Sequence, residues 1–294
     1  MYIKDLFANK THPLLSFEIF PPKKDSPIDT IFTTIDALKD LNPDFISVTY
    51  GAGGSNKDRT VEIAALIKHQ YGIESLAHLT CISSTKDEIE NILTILKKNK
   101  IENILALRGD LPQDPNFKFP TPLHYHYASD LVYHLKQKND YSIGAACYPE
   151  GHIECSNIDK DINYLKTKVN AGVDFLITQL FFDNEQLYTF LDKIKKADIK
   201  IPIIAGIMPL LSKKQIEHCM TLSKATLPRK FTRILEKHGD NPAVLSEAGI
   251  AYATDQISDL LSWGVQGIHL YTMNRPDIAR RIVENTSTLR SLIK

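Results

Sequence analysis

Short apolar, β-branched runs recur along the chain at 14–20 (LLSFEIF), 44–50 (DFISVTY), 74–81 (ESLAHLTC) and 103–109 (NILALRG). Four more follow at 142–148 (SIGAACY), 174–182 (DFLITQLFF), 201–208 (IPIIAGIM) and 267–273 (GIHLYTM). Stretches of helical period separate them. In 85–100, TKDEIENILTILKKNK, the apolar residues Ile89, Ile92, Leu93 and Leu96 share one face. Ser84 with Asp87 three residues on reads as a capping box for that helix. Gly172, after DINYLKTKVNAG, reads as the stop of another.

Runs apolar on both faces, each followed by a crossover helix, predict a parallel sheet. Eight such units in 294 residues predict an α/β fold, a closed (β/α)8 TIM barrel forming a single domain over 1–294. Two connections run long. Residues 111–126 are rich in proline and aromatics, and 209–262 hold more than one helix. In barrels the strand-to-helix loops carry the ligand sites.

Composition narrows the function. Lys+Arg and Asp+Glu both number 35, and the pI is about 7.1. Nucleic-acid and membrane-surface partners call for a basic excess that this chain lacks. The basic cluster LKKNK at 96–100 suits a solvated helix C-terminus. The four cysteines Cys81, Cys147, Cys155 and Cys219 form no C-x-x-C pair, so free thiols in a reducing compartment are expected. No leader-like N-terminus and no membrane-length apolar window is apparent, so a soluble, cytoplasmic protein is expected.

The predicted strand ends carry Glu18, Thr49, His78, Arg108 with Asp110, Tyr148 and Gln179, with Asn274-Arg275 after the last strand. Each alone has a structural reading. A lone His in AHLTC is more often a hydrogen-bonded core histidine than a ligand, and Arg108 and Asp110 can pair across a turn. Together they form a ring of polar groups on one rim, which implies a small-molecule site. Glu18 stands out, because a carboxylate in a buried strand is costly unless something holds or uses it.

Several chemistries are excluded. No His-x-His closes the first strand, as a metal-dependent hydrolase barrel requires, and no metal site is expected. Lys23 and Lys24 lie beyond Pro21-Pro22, and no other strand end has a lysine for a Schiff base. GAGGS at 51–55 lacks the G-x-G-x-x-G spacing of a dinucleotide cradle. What remains suits a bound cofactor that performs the difficult step while the protein orients and protonates.

The segments SFEIFPPK, SVTYGAGGS, HLTC, ALRGDLP, YASDL, AACYPEGH, ITQLFFD, GIMP and YTMNR, in this order over nearly the whole chain, resemble the bacterial methylenetetrahydrofolate reductases. The resemblance implies a (β/α)8 barrel with noncovalent FAD. It also implies ping-pong reduction of 5,10-methylenetetrahydrofolate to 5-methyltetrahydrofolate with NADH or NADPH as donor, feeding one-carbon metabolism and methionine supply. Homo-oligomerisation is implied as well.

By the same resemblance Glu18 is the general acid that protonates N10 of the folate, opening its ring to a 5-iminium cation. Desolvation is expected to raise its pKa and keep a proton available near neutral pH. Asp110 corresponds to the aspartate near the flavin N1–C2=O edge, where its charge makes the reduced flavin a stronger hydride donor and steadies the iminium. The FAD contacts implied are Thr49, His78, Arg108, Gly109, Asp110, Tyr127, Ala128, Tyr148, His152, Asp161 and Lys168, with Arg108 and Lys168 suited to the diphosphate. Gln179, Gln215 and Arg275 match substrate contacts. Tyr164 and Thr167 stand where relatives commonly carry Asn and Arg, and Cys219 where some carry a substrate-facing Phe. Two other readings stay open: a flavin-free pterin methyltransferase with a corrinoid partner, and a non-catalytic subunit that keeps the barrel.

Overall fold

The computed structural model describes residues 1–22, 27–50, 57–111, 114 and 116–293. The GAGGS segment and Lys23-Lys24 lie outside the described residues. Eight parallel strands close into a barrel in sequence order: β1 Leu14–Ile19, β2 Phe45–Val48, β3 Glu74–Thr80, β4 Asn103–Leu107, β5 Ser142–Cys147, β6 Phe175–Thr178, β7 Ile203–Ile207 and β8 Gly267–Tyr271. The (β/α)8 expectation holds, with strands shorter than the apolar runs. Phe181 and Phe182, for example, continue the run of β6 but serve the helix layer and the rim.

Around the barrel run α2 Asp29–Lys39, α3 Lys57–Tyr71, α4 Lys86–Lys98, α5 Ala128–Lys136, α6 Ile158–Asn170, α7 Asn184–Lys196, α8 Lys213–Leu222, α9 Arg229–His238, α10 Pro242–Trp263 and α11 Pro276–Leu292. The α4 face is as predicted, with Ile89, Ile92, Leu93 and Leu96 all buried. Its cap is one residue later than expected. Thr85, not Ser84, accepts from Glu88 N, and the Glu88 carboxylate accepts from Thr85 N at 2.8 Å. Gly172, at φ +123°, does end α6. The 209–262 connection holds α8, α9 and most of α10.

A first helix, α1 Ile3–Asn9, closes the N-terminal end of the barrel. Its free amides find strand side chains: Ile3 N donates to Asn103 Oδ1 (2.7 Å) and Lys4 N to Ser142 Oγ (3.1 Å). Ile3 and Leu6 of α1 pack on a floor of Leu14, Phe45, Leu76, Leu105, Phe175 and Ile204. The alternate residues of each strand, such as Leu15, Phe17 and Ile19, face the helices in the main core.

The period of two therefore sorts the inner face by height. On β1, Leu14 is floor, Ser16 middle and Glu18 mouth; on β3, Leu76, His78 and Thr80 follow the same order. An apolar base thus carries a polar middle, and the site sits above it. Gly206 permits the closure of β7 on β6, since a Cβ there would lie 2.3 Å from Thr178 O. Instead its amide donates to Thr178 Oγ1 at 2.8 Å.

Candidate active site

The strand ends open into a cavity of about 450 Å³. Of the residues singled out in the sequence, Glu18, Thr49, His78, Arg108, Gly109, Asp110, Tyr148, His152 and Gln179 all line it. They come from six strands and the turns behind them, far apart in sequence and brought together only by barrel closure. A smaller chamber of about 120 Å³ shares Arg108, Asp110, Tyr148, His152 and Gln179 with it and runs outward to Glu150, Glu154 and Lys224. Together they make a trench from Glu18 at the barrel mouth to a charged outer end.

Gly109 shapes its wall. The residue is at φ +85°, and a Cβ would meet Thr80 Cβ at 2.8 Å, so backbone rather than side chain borders the cavity there. Beside it Arg108 is already engaged, its two terminal nitrogens forming a bidentate pair with Glu154 at 2.6 Å each. That hydrogen bonding, reinforced by charge attraction, raises the guanidinium pKa. An anion at the outer end of the trench must therefore share or displace Glu154. Tyr148 meets His152 edge-on at 4.7 Å between ring centres, and burial pushes its hydroxyl up to about 12.

Glu18 sits between two histidines. Its Oε2 lies 3.5 Å from His78 Nε2 and 3.6 Å from His269 Nε2. Each ring is backed by a serine: Ser47 Oγ is 2.5 Å from His78 Nε2, and Ser16 Oγ is 2.8 Å from His269 Nδ1. Burial pushes the Glu18 carboxyl up, but the polar contact with His269 and the positive potential of both rings more than offset it, leaving the pKa below the usual value. The expectation that desolvation holds a proton on Glu18 near neutral pH is thereby corrected. Burial also drives His78 down to about 4, so that ring is neutral at pH 7.

A buried neutral histidine carries a stability consequence. The unfolded chain takes up a proton on His78 near pH 6.5, whereas the fold resists until about 4. Its contribution is complete above the unfolded value and is lost as pH falls through the folded one. The expected loss between those limits is about 3 kcal/mol. Urea midpoints measured across this range fall less steeply in His78→Gln than in the parent protein; equal slopes would contradict the assignment.

The remaining candidates stand apart from the cavity lining. Tyr127 is exposed at the N-cap of α5, with Ala128 the first residue of that helix. Asp161 accepts from His152 N at 3.1 Å. Lys168 donates to Ala146 O at 2.6 Å, behind the cavity wall, and burial lowers its pKa. Gln215, in the first turn of α8, is spent on the loop before it, with Oε1 accepting from Leu211 N and Nε2 donating to Pro209 O. Arg275 pairs with Asp277 on the surface. Tyr164 and Thr167 lie on the exposed side of α6. Cys219 is buried with its sulfur 3.4 Å from that of Met208, and Met208 reaches the cavity.

Sequence reasoning missed His269, Tyr271, Ser16 and Ser47. The signal was present: in GIHLYTM, His269 is two residues before Tyr271, so both point inward. The parallel register sets Ser16 opposite His269 and Glu18 opposite Tyr271.

A closed parallel barrel with an acid, an aspartate, an arginine paired with Glu154, and amide and hydroxyl donors gathered at its strand ends belongs to the class of barrel enzymes acting on small molecules. The family model described as methylenetetrahydrofolate reductase matches residues 3–287, and the chain belongs to that family. It is 38% identical over 268 residues to the 5,10-methylenetetrahydrofolate reductase of Escherichia coli K12, covering 91% of this chain and 88% of that protein. The Pectobacterium carotovorum reductase is 36% identical over 271 residues, with the same coverage of each. The Arabidopsis thaliana methylenetetrahydrofolate reductase (NADH) 1 is 35% identical, but the match spans 48% of that longer chain. Membership supports methylenetetrahydrofolate reduction as the activity.

Among solved structures, a Clostridium thermocellum protein described as binding two copies of 5-methyl-5,6,7,8-tetrahydrofolic acid shares the fold. Its TM-score is 0.68 at 20% identity, over 99% of both chains. No helix among the described residues is long and apolar enough to cross a membrane.

Proposed function

We propose that the chain reduces 5,10-methylenetetrahydrofolate to 5-methyltetrahydrofolate through bound FAD, with NADH or NADPH as donor. The observation that carries this reading is the placement of Glu18, Asp110 and Gln179 around one cavity. The donor set fits the cofactor. The cavity is walled by His78, Thr49, Tyr148 and the Gly109 backbone, suiting a flat heteroaromatic ring, and Arg108, where it meets the narrower outer chamber, suits a diphosphate that displaces Glu154. When bound there, the flavin supplies the hydride that reduces the one-carbon unit.

The chain supplies binding and proton control. Gln179 offers an amide to the pterin from the end of β6. Its Oε1 accepts from Leu180 N at 2.9 Å, which fixes the amide and leaves its NH₂ to face the cavity. Glu18 gives a proton to N10, and Asp110 sets a carboxylate near the cationic iminium that results. Because His269 holds the Glu18 pKa down, the protonated fraction, and with it folate reduction, declines as pH rises through neutrality.

Denaturing the purified protein and identifying what it releases tests the cofactor. FAD in the supernatant is the expected outcome. A colourless protein that no added FAD reconstitutes would contradict the reading and favour the flavin-free methyltransferase.

A further inference from the structure

His269 does not line the cavity, yet its placement is too costly to be idle. The ring is fully buried, and its Nε2 makes no hydrogen bond among the described residues. A buried nitrogen left unpaired costs about 1–3 kcal/mol, and a ring kept only for packing settles where both nitrogens are satisfied. This one is held against such a settlement. Phe45 stacks on it with ring centres 6.3 Å apart, Tyr271 meets it edge-on at 5.2 Å, and Ser16 Oγ takes Nδ1 at 2.8 Å. Those contacts aim Nε2 at Glu18 Oε2, 3.6 Å away.

The tautomer follows from the same contacts. Ser16 Oγ has two acceptors in reach, Nδ1 at 2.8 Å and the Ile268 carbonyl at 3.4 Å. Nε2 faces a carboxylate oxygen that an imidazole lone pair would repel, which places the ring proton on Nε2 and leaves Nδ1 to accept from the Ser16 hydroxyl. His78 addresses the same oxygen, Oε2, from the other side. Among the described residues, neither a hydrogen bond nor an ion pair reaches Oε1, while Glu18 lines the cavity. Oε2 thus lies between the two rings, 3.5 Å from His78 Nε2 and 3.6 Å from His269 Nε2, while Oε1 meets neither.

We propose that His269, oriented by Ser16, is the positioning residue for Glu18: it holds Oε2 from beneath and turns Oε1 to the substrate. The proposal rests on the reading of Glu18 as the acid. The groups facing Glu18 are His78 from β3, His269 and Tyr271 from β8, and Arg108, Asp110 and Tyr148 across the cavity. Of these, His269 is the fully buried one whose donor lacks another partner. The direction is set: removing the Nε2 donor removes a stabiliser of the carboxylate, so the Glu18 titration moves up.

The test is a carboxyl ¹³C NMR titration of the flavin-loaded protein carrying labelled glutamate, with Glu18→Gln assigning the Glu18 signal. His269→Phe keeps the ring volume and the stack on Phe45 but removes the donor, and the Glu18 titration is expected to rise by about one pH unit. His269→Gln restores an amide donor and is expected to bring it back toward the parent value. Should His269→Phe fail to fold, Ser16→Ala, which frees the ring to turn, is expected to move the titration the same way.

The pH profile of folate reduction is expected to shift with the titration, while bleaching of the flavin by NADH stays unchanged. An identical Glu18 titration in parent and variants would overturn the proposal, as would a moved titration with an unmoved folate profile. The titration needs no turnover, so it judges the His269–Glu18 contact even if the parent protein does not reduce methylenetetrahydrofolate, a result that would count against the proposed function instead.

Discussion

Glu18→Gln is expected to slow reduction of methylenetetrahydrofolate by about 10²- to 10⁴-fold, the usual contribution of a placed general acid. Flavin reduction by NADH is expected to stay intact. The substitution keeps the side chain's size and its place between His78 and His269 but removes the proton that N10 requires. The two half-reactions separate because Glu18 serves the folate and is not needed to pass a hydride from nicotinamide to flavin. Rapid mixing of each half-reaction on its own checks this. If both fall together, Glu18 is holding the site together and is not its acid.

Phe175→Ala is expected to cost about 3–5 kcal/mol of stability, at the upper end for a core truncation. Phe175 is the keystone of the barrel floor. It is fully buried, its ring centre lies 5.8 Å from Phe7 of α1 and 6.5 Å from Phe45 of β2, and it lies so close over β5 that a Cβ on Gly144 would come within 2.7 Å. Relaxation cannot fill the void, because the strands around it are fixed by their own ladders and α1 is pinned by Asn103 and Ser142. Denaturant melts should show a lower midpoint at unchanged slope. A loss below about 1 kcal/mol would mean that the floor is not the close-packed layer described.

The barrel was legible because its strands are buried on both faces and its helices on one, so periodicity told them apart. Strand lengths were less so: an apolar run continues past the last ladder bond wherever the rim is also buried, as at Phe181-Phe182. The α4 cap shows a similar limit, since Ser84 and Thr85 are both capping residues and only backbone geometry selects Thr85.

In the site, the mouth residues were found because strand ends are where barrels keep their chemistry. Of the layer beneath, only His78 was found, because reading only the ends ignores the residue two positions earlier, and that step leads from Tyr271 to His269 and from Glu18 to Ser16. The protonation of Glu18 could not be read from its strand. Burial alone argues for a raised pKa, and the histidines that reverse it come from β3 and β8. Gln215 and Arg275 show the complementary case, matching a family pattern in sequence while being occupied by local partners in the fold.

The most direct test of the central claim, that this chain passes hydride from a nicotinamide through flavin to methylenetetrahydrofolate, is an anaerobic visible spectrum. It is recorded as purified, after NADH or NADPH, and again after methylenetetrahydrofolate. Flavin bands that bleach with the nicotinamide and return with the folate are the predicted result. Bands that bleach but do not return, in protein shown to bind the folate, would contradict it.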